Sequence, residues 1–486
     1  MILRASLGVF ALFTSVSSSV LAASATPEEA TRLMGVFQNY LGKEPGVVTV
    51  KPVAEAYDVT LDLAPLIKKN AKSDFTAEAT PFVMKFTDQG DGKWLVTQDQ
   101  AISFSAKMPK QVDVLIKIGS MKSTSVFDEK LSAFISSTTD FSDIAVDEKI
   151  STPDAGDTQV AYAVKSMRYE QTATAAQNGG VDGVLKSTFS GLIEKITLPA
   201  GPTSPAGMNL DVTAENGTSD VTYKGMKSKS LYQMIAWVVA HAGEKELKDG
   251  GAEFKKIVGD ALPVFENMAG TGTIVKLTAA TPIGPVTIDT VGYGVAMNGI
   301  TANGLLEESF SAEGLKLPAG LVPAWATDLV PNKFSLNFKV TDFNLADPAK
   351  IMIEEFDFSK KEPSTPEVNA KLLKAVMPKG AVTISMGPSN VIAQLFDLGF
   401  EGAMTAGPVG TPVGQASIKA KGFDQVMEAL KAAPPQMVGS AIAVMIAAKG
   451  MAKTESDGAM TWKIENTTAG GILVNGIDVS KMGGGG

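Results

Sequence analysis

The only histidine of this chain, His241, closes the apolar run IAWVVAHAGEK at 235–245. A single imidazole cannot supply the converging ligands of a zinc site, and a Ser-His-Asp relay has almost no candidate. At the end of a greasy helical run, His241 reads as a hydrogen-bonded boundary residue. The absence of cysteine removes thiolate nucleophiles, iron–sulfur ligation and disulfides together. Neither a G-x-S-x-G elbow nor an S-x-x-K pair occurs.

Carboxylates are plentiful, and two of them suitably spaced would hydrolyse a glycosidic bond. Nothing in the sequence selects a pair: Glu307-Glu308 and Glu354-Glu355 are adjacent residues, which diverge on a strand or a helix. DQGDG at 88–92 is too short for a calcium loop and reads as a hairpin turn. GTGTIV at 270–275 lacks the third glycine and the following helix of a dinucleotide fingerprint, and VGYGVAMNG at 291–299 is a glycine-interrupted strand. Among the 21 methionines, Met427, Met437, Met445 and Met451 concentrate near the C-terminus. Without a tight M-x-M series they point to core filling or an adaptable apolar groove before Cu(I). No catalytic, cofactor-binding or metal-ligating residue is assigned, and no cofactor is expected.

The elements that would carry any site are mostly strands. KFSLNFKVTDF at 333–343 places Phe334, Leu336, Phe338 and Val340 on one face and Ser335, Asn337, Lys339 and Thr341 on the other, the alternation of a half-buried β-strand. QVDVLIKIG at 111–119 repeats it. Similar strands are expected at 47–63, 81–87, 93–106, 139–149, 157–172, 181–198, 271–280, 284–298, 303–313, 381–387, 399–406, 411–421, 459–466 and 471–479. A capped helix follows Thr26 and Pro27. A helical hairpin runs from a Ser230/Gln233 capping box, through a stop at Gly250-Gly251, to a second stripe ending near Met268 with a kink at Pro263. A short helix starts at Pro366, and a second helix pair occupies 424–432 and 436–449. LPAG at 198 and 317, with MNGIT at 297 echoed by VNGID at 474, leaves duplication of a strand, helix-pair and strand module as one of two open readings.

Bulk properties narrow the setting. MILRASLGVFALFTSVSSSVLAASA carries one early cation, Arg4, then an apolar run of about 16 residues and small residues around Ala22, a secretory signal short of the roughly 20 that span a bilayer. Cleavage there leaves no transmembrane span and a soluble chain, and a cysteine-free exported protein suits a periplasm. A net charge of −9, with only three arginines (Arg4, Arg32, Arg168), makes nucleic acid a poor partner. The expected organisation is a signal at 1–22, a strand-rich region at 23–204, a central module of strands and a helical hairpin at 205–359, a C-terminal module of the same kind at 366–482 after a linker at 360–366, and a disordered tail at 483–486.

These readings combine into an α+β fold of extended, twisted antiparallel sheets with helical hairpins packed on the apolar face. NKFSLNFKVTDFNLADPAKIMI, the late helix pair and the closing MTWKIENTTAGGILVNGIDV resemble the large envelope proteins of the YdgA-like kind and, more distantly, the AsmA-like group. The resemblance covers mainly 205–480 and implies an envelope role in lipid handling; it transfers no active site. Those groups commonly retain an N-terminal membrane anchor, from which this chain departs. The expected activity is non-enzymatic binding of a lipid or other apolar ligand, or of an envelope protein partner, through an apolar sheet face. A carboxylate-dependent hydrolase of cell-wall glycan or polysaccharide, and a purely structural envelope protein, are the alternatives.

Overall fold

The structure is a computed structural model that describes residues 24–70, 75–152, 156–200, 207–241, 250–356, 364–408, 410–467 and 470–480. The expected signal, the 483–486 tail and most of the 360–366 linker lie outside them. Strands make up 53% and helices 23%, and the ladders are antiparallel, which places the chain in the α+β class. It divides into two compact units, Met1–Met268 with Met352–Thr365, and Ala269–Ile351 with Pro366–Gly486.

The first unit opens with α1 (Pro27–Leu41). Thr26 Oγ1 accepts from the Glu29 N–H at 3.2 Å, Pro27 needs no donor at the first helical position, and Gly42 ends the helix at φ 82°. Then come β1 (Val48–Val53), β2 (Ala56–Leu61), α2 (Ala64–Asn70), β3 (Thr76–Ala79), β4 (Phe82–Asp88), β5 (Lys93–Met108), β6 (Val112–Asp128), β7 (Ala133–Thr152), β8 (Gly156–Ala175), β9 (Val181–Leu198), β10 (Met208–Met226), α3 (Ser228–Ala240) and α4 (Gly251–Ala261). The ladder runs β1–β2–β4–β5–β6–β7–β8–β9–β10, with β3 on β5. The expected strand at 47–63 is thus a hairpin, turned at Ala54 with φ 55°.

A transverse fault crosses this sheet. β6 gains one residue on β5 between Met121 and Ile118, and from there Gly119, Asp143, Lys165, Gly191 and Glu215 are skipped at one level of the ladder. Asp143 and Gly191 have positive φ. Each skipped residue acts as a bulge and reverses which residues face inward: Val114 and Ile118 are buried on one side of Gly119, Met121, Ser123 and Ser125 on the other.

Packing is concentrated at one end. Ala30 and Leu33 of α1 bury against Tyr57, Val59, Met84, Phe86, Trp94, Val96 and Phe134. Arg32 pairs with Glu29 and with Glu129, which also accepts from Trp94 Nε1 at 2.8 Å, so one carboxylate ties helix to sheet. Trp237 of α3 packs on Phe254 of α4 with ring centroids 4.7 Å apart. Three local expectations need correction. α3 starts at Ser228 without a side-chain cap, Gly250 is the N-cap of α4 rather than a stop, and α4 ends at Ala261. Pro263 closes that helix because its ring cannot continue the ladder.

The second unit holds β11 (Asn267–Thr281), β12 (Gly284–Asn298), β13 (Leu305–Glu313), a 3₁₀ turn at Ala324–Leu329, β14 (Lys333–Thr341), α5 (Ala346–Glu355), α6 (Pro366–Val376), β15 (Val382–Ile392), β16 (Asp397–Ala406), β17 (Val413–Lys421), α7 (Phe423–Lys431), α8 (Pro435–Met451), β18 (Lys453–Thr454), β19 (Met460–Asn466), β20 (Ile472–Val474) and β21 (Ile477–Asp478). β11 and α5 contribute a few residues to the first unit. The ladder runs β12–β13–β14–β15–β16–β17–β19–β20–β21. The expected strand at 471–479 is the tight hairpin β20–β21, turned at Asn475 and Gly476 with φ 49° and 86°.

Candidate functional site

Directly opposed residues in a ladder share a face, so the register assigns the paired side chains of β12–β17 outside the irregularities at Ser335/Phe338 and Met386/Ser389. Val291, Ala312, Phe334, Val391, Leu398 and Ala420 form one row; Tyr293, Phe310 and Leu336 start the next. Val295, Glu308, Phe338, Met386, Gly402 and Ala416 follow, then Met297, Leu306, Val340, Ile384 and Met404. The opposite face carries the ion pairs Lys339–Glu307 at 2.6 Å and Lys333–Glu313 at 3.2 Å. One face is oil and the other is wet, as the alternation requires.

Cover is unequal along the oily face. At β17–β19, Phe423 of α7 and Ala448 and Met451 of α8 pack with Ala420, Trp462 and Val474. Trp462 is 7% exposed, and its Nε1–H donates to the Ala448 carbonyl at 2.7 Å. Over β12–β16 the large side chains face solvent: Tyr293 and Phe310 are each 46% exposed, and Phe334, Phe338, Ile384 and Met404 exceed a third. At ordinary strand spacing and rise, five strands and four rows make a patch of roughly 20 by 20 Å, within the size range of the largest apolar patch on a typical monomer, which is often functional. Tyr293 lies so close over Gly272 of β11 that a Cβ there would meet the ring at 2.2 Å.

The first unit repeats the pattern below its fault. Ile118, Ile144, Val164, Leu192 and Ala214 share a row; Ile116, Val146, Tyr162, Glu194 and Val212 form the next, and Val114, Glu148, Val160, Ile196 and Leu210 the third. Burial, with a smaller contribution from Tyr169 and Glu194, raises the Tyr162 phenol above its usual range. Above the fault the same face is closely packed and mixed, with Gln98, Ser123, Ser125, Ser137, Thr139 and Gln171 buried beside Val96, Met121 and Phe141.

The residues singled out for chemistry are dispersed. His241 stacks on Trp237 at 4.1 Å with its Nδ1 2.9 Å from the Trp237 carbonyl, beside the Trp237–Glu253 hydrogen bond. Glu307 and Glu308 point to opposite faces, so they form no pair. The carboxyls whose ionisation is displaced, Asp91, Asp157, Asp342 and Asp457, are all held below the usual range. A lysine is the leading cause for the first three, and the Ala459 N–H followed by Lys421 for Asp457. Asp457 and Lys421 line a cavity of about 630 Å³ beside α7, together with Asp424, which pairs with Lys449. Met427, Met437, Met445 and Met451 lie on α7 and α8, where Met451 joins the Trp462 cluster and Met437 is largely exposed. Among the described residues no group of three or more His, Cys, Asp or Glu could hold a metal, and no helix is long and apolar enough to cross a membrane.

Comparisons with protein-family models, with curated proteins and with solved structures each find no match.

Proposed function

We infer that this chain is an exported envelope protein that binds a lipid or other apolar ligand on the open sheet face of its second unit. The observation that carries the reading is the exposure of six large apolar side chains on the one face of β12–β16 whose neighbouring strands, β17 and β19, bury theirs under helices. Apolar area of this size held on a rigid ladder is a binding surface at little ordering cost, because the strands are fixed before the ligand arrives. In this reading the strand, helix-pair and strand module of 205–359 is duplicated in 366–482. Export rests on the N-terminal run around Arg4 and Ala22, and the envelope role on the YdgA-like texture of 205–480. A protein partner is the second reading, favoured by α8, where Met437, Val444 and Ile446 are mostly exposed on a helix with a single charge.

The test is purification of the secreted chain without detergent, followed by native mass spectrometry. Near-stoichiometric lipid is expected. A chain that leaves the cell lipid-free, and takes up no fluorescent acyl probe afterwards, would remove the reading.

A further inference from the structure

Resting on that reading, the geometry points to an amine-headed lipid as the ligand class, selected by carboxylates set into the apolar faces. Glu308 is the one charged side chain in the four rows that cross β12–β17, flanked by Val295 and Phe338 on the neighbouring strands and by Leu306 and Phe310 along its own. It is exposed and has no ion-pair partner among the described residues, whereas Glu307, one position away, is paired with Lys339 on the wet side. The first unit carries the same device independently. Below its fault the charged residues on the oily rows are Glu148 and Glu194, both half-buried and neither in an ion pair among the described residues. No lysine or arginine enters any of these rows, although the chain has 43 basic residues. The lysines of the same strands sit on the opposite side, as Lys333, Lys339 and Lys149 do in pairs with Glu313, Glu307 and Asp157.

The consequence follows from desolvation. An alkyl chain lying across Phe310 and Phe338 takes water away from Glu308, and a carboxylate stripped of water with no partner is costly. A ligand that brings an ammonium group to that point replaces the lost hydration with a charge-assisted hydrogen bond. An uncharged head leaves the cost standing, and an anionic head adds repulsion, so the face discriminates by rejection as well as attraction. Inward-pointing charges also discourage edge-to-edge association of sheets, and the experiment separates that role from selection.

Calorimetric titration of the whole chain with dodecylammonium, dodecyl maltoside and dodecyl sulfate, each below its micellar concentration, holds the chain length constant and varies the head. The ammonium probe should bind roughly tenfold more tightly than the maltoside, with the sulfate weakest. Glu308→Gln combined with Glu148→Gln and Glu194→Gln should bring ammonium and maltoside within about twofold, and rising salt should narrow the gap in the unaltered chain. That salt series stands by itself if the triple variant fails to fold. Binding without preference, or a preference that survives both substitution and salt, overturns the inference while leaving the apolar-ligand reading intact. If none of the three probes binds, the underlying reading fails with it.

Discussion

Phe310→Thr separates binding from stability most sharply. Phe310 is 46% exposed and stands opposite Tyr293 and Leu336. A phenylalanine side chain offers about 200 Å² of apolar surface, so roughly 90 Å² is open to a ligand and at about 25 cal/mol/Å² is worth about 2 kcal/mol when covered. That converts to roughly 30-fold in Kd. The part already covered contributes to folding, an upper estimate of about 2–3 kcal/mol, and threonine, being β-branched, retains good strand propensity. Displacement of a fluorescent acyl probe should therefore weaken by more than tenfold, while thermal unfolding stays cooperative and falls by several degrees. A folded Phe310→Thr protein whose affinity moves by less than twofold would refute the assignment of this face, because no other residue inherits the lost area.

Other perturbations read the closed parts of the molecule. Trp462→Ala should cost about 3–5 kcal/mol, since it opens a cavity beneath α7 and α8 and leaves the Ala448 carbonyl without its donor; chemical denaturation measures it. Gly183→Ala should cost about 1–3 kcal/mol because its Cβ would stand 2.3 Å from the Tyr223 ring, and pairing it with Tyr223→Ala should recover much of that loss, as overlapping partners are non-additive. Burial pushes the Tyr232 phenol up to about 12, with Tyr40 and Tyr223 adding to it. A group favoured in its neutral form contributes stability below its ordinary value near 10 that is lost as pH rises toward 12, so absorbance at 295 nm should show a late tyrosine absent from Tyr232→Phe. The Asp457 carboxyl, lowered to about 2 by the Ala459 N–H and then Lys421, works in the opposite sense. Its contribution is complete above about pH 4 and disappears as pH falls through 2, and Asp457→Asn should flatten the acid limb of a stability profile.

How much of this is legible in the sequence depends on whether one rule governs a whole element. β14 keeps its period from Lys333 to Thr341 and reads directly. β6 does not. Its alternation of Val112, Val114, Ile116 and Ile118 stops at Gly119, which looks like the end of a strand, yet the strand runs on to Asp128 with its faces exchanged by the bulge. β10 is hidden for a related reason, since Glu215 through Asp220 present no apolar residue and the inward positions are Gly217 and Ser219. α5, with the run ADPAKIMIEE, has too few turns to declare a stripe. The candidate face was half visible. Phe334, Phe338 and Trp462 belong to the same alternating grammar, and nothing in their own strands says that helices cover Trp462 and leave the phenylalanines open. That difference lies in where α7 and α8 return, a long-range property. Glu308 was visible only as one half of an adjacent acidic pair, and its meaning required the register that sends it to the oily side.

An open apolar face on an antiparallel ladder raises the question of what keeps it from closing on the wrong partner. Register supplies part of the answer: a one-residue slip of β14 would send Lys333 and Lys339 into the oily rows and away from their partners Glu313 and Glu307 on β13, so the slipped pairing is disfavoured even where the oily face packs against nothing. Glu308 supplies another part, because a second sheet laid over β12–β16 would bury an unpaired carboxylate. The same charge that repels a sheet is satisfied by a small cationic head. Openness and a lone acid are therefore one arrangement: the antiparallel backbone ladder fixes the strands, the uncovered rows offer area, and in the proposed reading the carboxylate decides which amphiphile can use it.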